Sequence, residues 1–285
     1  MGFKFDFKGR MLAEILHMDK DTAMPWWEAV KEILPKYEIV TPERVAGFLA
    51  QTGHESNGWK VLTENLNYSA KALNSIFPKY FVKAGRNADD YHRQPERIAN
   101  VIYANRMENG DTASGDGWTF RGGGILQLTG RHNYTKFGES IGMSAVEAAE
   151  YVRTPKGALE SACWFWVTNN LNKYCDNRDI VTLSKRVNGG TIGLEDRIKH
   201  WNHAMELFTG ERSLAPVEET PSTVNLLKKG SNGDLVKKMQ EVLGVDADGD
   251  FGPGTERAVK AWQSENGLTP DGIVGPKTMQ AMGIL

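Results

Sequence analysis

Apolar residues recur along this chain at helical spacing, in stretches separated by short polar breaks. Residues 26–37, WWEAVKEILPKY, predict an amphipathic helix. In TPERVAGFLAQTGHE, Thr41 reads as an N-cap and Pro42 as the first helical residue. The stretches 96–107, 144–152, 158–171 and 194–208 predict further helices. Strand signals are weak, so the expected fold class is mainly α. One glycine-rich segment, GWTFRGGGILQLTGR at 117–131, interrupts the helices in the middle of the chain.

The pattern fails over residues 209–223, TGERSLAPVEETPST, which carry Pro216, Pro221 and no helical period. A linker over 209–224 is expected, with one domain over 1–208 and a smaller one over 225–285. The tail repeats itself. Asp248-Gly-Asp-Phe-Gly-Pro-Gly-Thr255 recurs 23 residues later as Asp271-Gly-Ile-Val-Gly-Pro-Lys-Thr278. DLVKKMQEVLG places Leu235, Met239 and Val242 on one helical face, and Phe251, Trp262, Ile273 and Val274 are expected to complete a core beneath three short helices. DADGDFGPGTE fails as a calcium loop: counted from Asp246, the sixth residue is Phe251 rather than glycine and the twelfth is Arg257 rather than glutamate.

Composition narrows the class. The 285 residues are 40% hydrophobic and 25% charged, which suits a globular protein, and the net charge of −2 gives no reason to expect nucleic acid. Cys163 and Cys175 make neither a disulfide framework nor a zinc pattern. The start, MGFKFDFKGRMLAEIL, lacks a continuous apolar core of the signal-peptide kind, and no apolar run is long enough to span a membrane. A chain folded in a cytoplasm, without membrane insertion, is expected. Eight tryptophans could stack on sugars or fill a core.

The candidate chemistry lies in LAQTGHESNGWKVLTENLNYS, residues 49–69. Glu55 and Glu64 are nine residues apart, which in one helix would put them on opposite faces and roughly 13 Å apart along the axis. They can share a substrate only if the chain breaks between them, and Asn57-Gly58 is such a break. Two carboxylates flanking a bond are the usual means of glycoside hydrolysis. Glu55 follows the apolar VAGFLAQTG, where partial burial would keep it protonated, and Glu64 sits among Thr63, Asn65 and Asn67, a wetter setting that suits an anion. Spacing alone leaves two surface carboxylates as the commoner reading. His54-Glu55 fails the helical zinc motif because position 58 is glycine, so His54 is structural or lines a substrate. Gly122-Gly123-Gly124 fails the dinucleotide fingerprint at Gln127 and instead suits a close backbone approach. His200 and His203 have no evident third ligand, and a solvated face is expected for them.

LKKGSNGDLVKKMQ, DGDFGPGTERAVKAWQ and GLTPDGIVGPKTM make residues 225–285 resemble the peptidoglycan-binding type 1 domain. AQTGHESNGW, FRGGGILQLTGRHNYTKFG, ALESACWFWVTNNLN and RVNGGTIGLEDR, in that order over roughly 25–208, resemble glycoside hydrolase family 19, and more closely its short members, phage endolysins among them. The resemblance implies a lysozyme-like helical catalytic domain with Glu55 as general acid, Glu64 as general base and Thr129 holding the attacking water. It places Gln127, Tyr134 and Asn188 along the sugar cleft and Arg197 in the acidic network beside it; Arg197 and His54 are counted with them as candidate substrate contacts. It implies inversion at the anomeric carbon, no metal and no cofactor. The segment NGGTIGLEDR lacks the longer acidic insertion of plant chitinases, which implies a shorter, more open groove. The expectation is a monomeric endolysin that cuts β-1,4 bonds in peptidoglycan glycan strands. It would be made in a host bacterial cytoplasm and act on the wall after release. A chitinase, a lytic transglycosylase and a non-catalytic wall-binding protein are its rivals.

Overall fold

The computed structural model describes residues 2–191, 193–211, 214, 226–266, 268 and 270–284. The chain forms two compact units, Met1–Leu214 and Ala215–Leu285. Most of the expected linker lies outside the described residues.

The first unit is helical. In order it contains α1 (Gly9–Ile15), α2 (Lys20–Ile33), α3 (Pro42–Glu55), α4 (Ala70–Ile76), α5 (Pro95–Ile102), α6 (Asp116–Thr119), α7 (Arg131–Ile141), α8 (Ala145–Tyr151), α9 (Pro155–Thr168), α10 (Asn172–Asp176), α11 (Ile180–Asn188) and α12 (Leu194–Thr209). Among the described residues the only β-pairing is a set of isolated bridges. The mainly-α expectation is met.

The centre of the unit is α3. Thr41 caps it by accepting from the Arg44 N–H at 3.3 Å, and Pro42 takes the first turn as the sequence predicts. Every residue from Val45 to Gly53 is buried, so this helix is enclosed rather than half-exposed. Gly47 permits that: a Cβ there would lie 2.5 Å from Cys175 Sγ and 2.6 Å from the Trp201 ring. Trp59, Trp166 and Trp201 are fully buried around α3. Trp59 Nε1–H donates to Thr52 Oγ1 and Trp166 Nε1–H to Asn172 Oδ1, both at 3.0 Å. These tryptophans build the core rather than a sugar platform. Cys163 and Cys175 are free, and burial pushes both thiols well above their ordinary value.

Two satellite cores extend the unit. Leu73, Phe81, Ile98 and Ile102 pack under α4 and α5, and Phe120, Tyr134, Phe137 and Val152 join α7 to α8. The long segment between α5 and α7 is pinned by Asp116. It accepts from the Gly110 N–H at 2.8 Å and from Arg131 Nε and Nη2 at 2.9 and 2.5 Å. The hydrogen bonds from Arg131 hold the Asp116 carboxyl below its usual range. A depressed folded pKa contributes stability above the unfolded value, about pH 4, and loses it as pH falls through the folded value. Asp116→Asn is therefore expected to cost about 2 kcal/mol at neutral pH. The deficit should shrink as pH falls from about 4 toward the lowered folded value, where the parent carboxylate itself protonates. Urea unfolding at neutral and acid pH checks this; a deficit that is the same at both would contradict it.

The second unit holds α13 (Asp234–Leu243), α14 (Pro253–Glu265) and α15 (Pro276–Met282) around Val236, Met239, Phe251, Val259, Val274 and Met279. Its repeat is a repeated lock. Gln240 Nε2 donates to Asp248 Oδ1 at 2.8 Å and Thr255 Oγ1 at 3.2 Å, while its Oε1 accepts from the Gly249 N–H at 2.8 Å. Gln263 makes the same three contacts with Asp271, Thr278 and Gly272, at 2.9, 3.4 and 2.9 Å. Both glutamines are 1% exposed, so each lock replaces the water that a buried amide needs. Two core expectations are corrected. Val242 is 41% and Ile273 36% exposed, because Val236, Met239 and Gln240 form the inward face of α13 and Val274 takes the inward place after the second turn.

Candidate active site

Glu55 is the last residue of α3, and the break after it is the one the sequence predicts. Asn57, Gly58 and Trp59 all have positive φ, of 52°, 66° and 62°. Such a conformation costs a bulky residue energy, and Trp59 is held there by its buried ring and by its N–H donating to Ser56 Oγ at 3.1 Å. Gly58 has no alternative, because a Cβ would lie 2.5 Å from the Leu16 carbonyl oxygen. After this elbow the chain runs back as an extended segment. Gly124 N–H donates to the Leu62 carbonyl at 2.9 Å and Glu64 N–H to the Gly122 carbonyl at 3.1 Å.

Glu64 is thereby laid on the glycine-rich segment. Its Oε1 accepts from the Gly122 N–H at 2.5 Å and its Oε2 from the Tyr103 hydroxyl at 2.8 Å. Burial, then the hydrogen bond to Glu64, hold the Tyr103 phenol well above its ordinary value, so it remains a donor. The glycines are required by contact. A Cβ on Gly122 would meet Gln127 Oε1 at 2.8 Å, and one on Gly123 would meet the Tyr134 hydroxyl at 2.7 Å. Gly123 bridges both Thr63 and Leu128, so three extended segments lie side by side, with Glu64 and Thr129 each one residue past a bridged position. Thr129 Oγ1–H donates to the Gln127 carbonyl at 2.8 Å, which leaves the hydroxyl oxygen as an acceptor. Gln127, in the left-handed region at φ 52°, donates from Nε2 to the Gly124 carbonyl at 3.0 Å.

Glu55 has a different environment. Its side chain is partly buried, at 29% exposed, and Arg197, 1% exposed, lies against it. Arg197 Nη2 donates to Glu55 Oε1 and Nη1 to Gln51 Oε1, both at 2.5 Å. Gln51 Nε2 in turn donates to Ser184 Oγ at 3.0 Å. Glu55 Oε2 has no hydrogen bond from the described residues. Glu55 is thus partly buried, as the apolar run before it predicts, at a last helical turn that is backed by a cation. Arg197 is also no sugar contact, since its guanidinium is enclosed between α3 and α12 and positions Glu55 from below.

Tyr134 is corrected in the same way. It is 0% exposed and donates its hydroxyl to the Arg121 carbonyl at 2.9 Å, so it supports the glycine segment instead of lining a groove. Asn188 ends α11, exposed, and accepts from the Gly190 N–H at 2.8 Å. It lies one helical turn beyond Ser184, as Glu55 lies one turn beyond Gln51, so the Gln51–Ser184 contact links the two helices one turn before both. His54 Nδ1–H donates to Asp196 Oδ2 at 2.6 Å. His200 Nε2 is 3.5 Å from the same oxygen, and its side chain is only 22% exposed, so the solvated face expected for it is corrected. Among the described residues no group of three His, Cys, Asp or Glu side chains is arranged to hold a metal ion. Tyr103, Gln51 and Asp196 are the functional neighbours that sequence reading missed. Asp196 adjoins Arg197 and could have been suspected, but nothing in the spacing points to Tyr103.

Chemically the site offers two carboxylates with unlike settings: one with both oxygens accepting hydrogen bonds, one with an oxygen held and the other open. Comparison with known proteins gives the family. The family profile described as chitinase class I, glycoside hydrolase 19, matches residues 38–186, and a peptidoglycan-binding domain profile matches residues 232–282. A glycosyl hydrolase family 19 domain-containing protein of Haemophilus influenzae is 38% identical over 179 residues, 63% of this chain and 87% of that one. The chain is also 43% identical over 60 residues to a zinc D-Ala-D-Ala carboxypeptidase of Streptomyces albus G, covering 18% of this chain and 24% of that one. The crystal structure of chitinase C from Streptomyces griseus superposes with a TM-score of 0.48 at 15% identity, covering 72% of this chain and 77% of the other. The chain is a member of glycoside hydrolase family 19 that carries a C-terminal peptidoglycan-binding domain.

Proposed function

We propose that this glycoside hydrolase is an endolysin that cleaves β-1,4 bonds of bacterial peptidoglycan by inversion, with Glu55 as general acid and Glu64 as general base. The carrying observation is the unlike holding of the two carboxyls. Glu64, with Gly122 N–H and Tyr103 O–H directed at its oxygens, is kept as an acceptor and takes a proton from water. Thr129, its own proton committed to the Gln127 carbonyl, accepts a hydrogen bond from that water and aims it. Glu55, fixed through one oxygen by Arg197, offers the other to the glycosidic oxygen and donates the proton that lets the sugar leave. Gln127, Asn188 and His54 line the glycan path in this reading. The tail raises the local concentration of the enzyme at the wall. The enzyme acts as a monomer, and it waits in the host cytoplasm until it is released to the wall.

Mass spectrometry of digested walls, with NMR of the first anomer formed, tests the reading. Reducing glycan ends that appear first as the α anomer are expected. Anhydro-muramic ends would replace it with a lytic transglycosylase, and a first-formed β anomer would remove inversion. The family profile's own description favours a second reading, a chitinase. Turnover of chitin oligomers faster than that of purified walls would establish it.

A further inference from the structure

A cavity of about 330 Å³ is lined by the last turn of α3, the end of α1 and the first turns of α12, and the reaction proposed above makes no use of most of it. Its floor is apolar and supplied by Ile15 and Leu16, at the end of α1. The backbone at Gly53 and Gly58 passes close to that floor, because a Cβ at either would press on Leu16. Three imidazoles from three different elements, His17, His54 and His200, converge on its wall together with Lys60. The His17 and His200 rings meet edge to face with centroids 6.0 Å apart. Asp196 is the cavity's one carboxylate, and it is already engaged by His54 and His200. Lys60 has no carboxylate within ion-pair distance among the described residues, and it is exposed.

The cavity thus has two uncommitted donors, Lys60 and His17, and its one carboxylate occupied. Such a lining suits an anionic group. Its place in the fold narrows the choice. His54 forms its wall and is the residue before Glu55, so a glycan lying across Glu55 brings a substituent of one sugar within reach. A bare N-acetylglucosamine chain is neutral and gives Lys60 nothing to bind. A peptidoglycan strand bears short peptides that end in, and carry, free carboxylates.

We propose that this cavity binds the carboxylate-bearing peptide branch of the glycan, and so makes the enzyme selective for peptide-substituted strands. The inference rests on the reading of peptidoglycan as substrate. His54, with its proton held by Asp196, is the hinge between the cavity and the acid: an occupied cavity sets the register of the sugar chain over Glu55. Lys60 supplies the charge, His17 supplies a ring N–H donor, and the His200 ring lies edge to face against it.

The test uses the histidines as reporters. All six, at 17, 54, 92, 132, 200 and 203, precede the tail, so their imidazole NMR signals report the catalytic unit even if the tail also binds ligand. The full-length protein is titrated with a soluble disaccharide–tetrapeptide from purified walls, and with the same compound after its peptide carboxylates are converted to amides. The His17 and His200 signals are expected to shift with the acid form and to stay in place with the amide. Lys60→Met should raise the concentration needed for half the shift at least fivefold, and Lys60→Arg should restore most of it. Equal shifts with both compounds, no shift at all, or an unchanged titration in Lys60→Met would overturn the proposal. Release of reducing ends from whole walls is measured in parallel. Walls cleaved with silent histidines remove the cavity's role alone. Intact walls with shifting histidines remove the proposed reaction and leave a peptide-binding site. If both measurements are negative, both ideas fall.

Discussion

Glu64→Gln should lower the rate of wall cleavage by about 10³-fold or more, the scale on which loss of a positioned general base is felt. An amide takes up no proton at the pH of the reaction, so the attacking water keeps its own. The fold should survive, for a reason visible in the hydrogen bonds. Gly122 N–H cannot turn away, but the amide oxygen can accept from it as Glu64 Oε1 does. The amide nitrogen then faces the Tyr103 hydroxyl, which can rotate and accept. Glu55→Gln should match the loss of activity and differ in stability. It exchanges the carboxyl oxygen held by Arg197, 1% exposed, for an amide oxygen, a weaker acceptor, at a cost of about 1 kcal/mol. Reducing-end assays on purified walls, with thermal melts of each variant, separate the two. Cleavage at the parent rate by either variant would end the assignment of acid and base.

Arg197→Met should be the most destabilising of the substitutions considered, by about 3 kcal/mol, the range for removing one partner of a buried pair. Met fills similar length, so the loss is one of polar partners. Gln51 Oε1, inside a fully buried side chain, loses its donor, and Glu55 loses the group that fixes it. An untethered carboxyl at a helix end samples several rotamers, and a misplacement of about 1 Å is enough for a loss near 10²-fold. Arg197→Lys should rescue little, because one ammonium cannot reach Gln51 and Glu55 with the two-pronged geometry of a guanidinium. Urea unfolding followed by circular dichroism, together with the cleavage assay, checks both parts. An unchanged midpoint with unchanged activity would show that Glu55 is positioned by something else.

Much of this was legible in the sequence where local chemistry decides it. The Thr41-Pro42 start of α3, the break at Asn57-Gly58 and the need for bare backbone at Gly122 to Gly124 all follow from a few adjacent residues. The failures have a common cause: burial and partners come from segments distant in the chain. Tyr103 reaches Glu64 across 39 positions and Arg197 reaches Glu55 across 142, distances over which no spacing rule carries information. Tyr134 was placed along the cleft by resemblance alone, and its burial is decided by α7 packing on the glycine segment. In the tail the missing signal was present. Shifting the sequence by 23 aligns Ile273 with Asp250 and Val242 with Glu265, so the repeat marks both as outward positions, while it aligns Val274 with the buried Phe251.

The elbow at Asn57 to Trp59 has a wider consequence. It behaves as a fixed caliper. One jaw is the end of the enclosed helix α3, and the other is the extended strip seated on Gly122 to Gly124. Trp59 and Gly58 clamp the joint onto the core itself. The opening between the two carboxyls is thus a property of the molecule's interior and owes little to its surface loops. Lengthening or trimming those loops can change which polymer enters and how well it is held, while the spacing that selects the stereochemical course is left as it is.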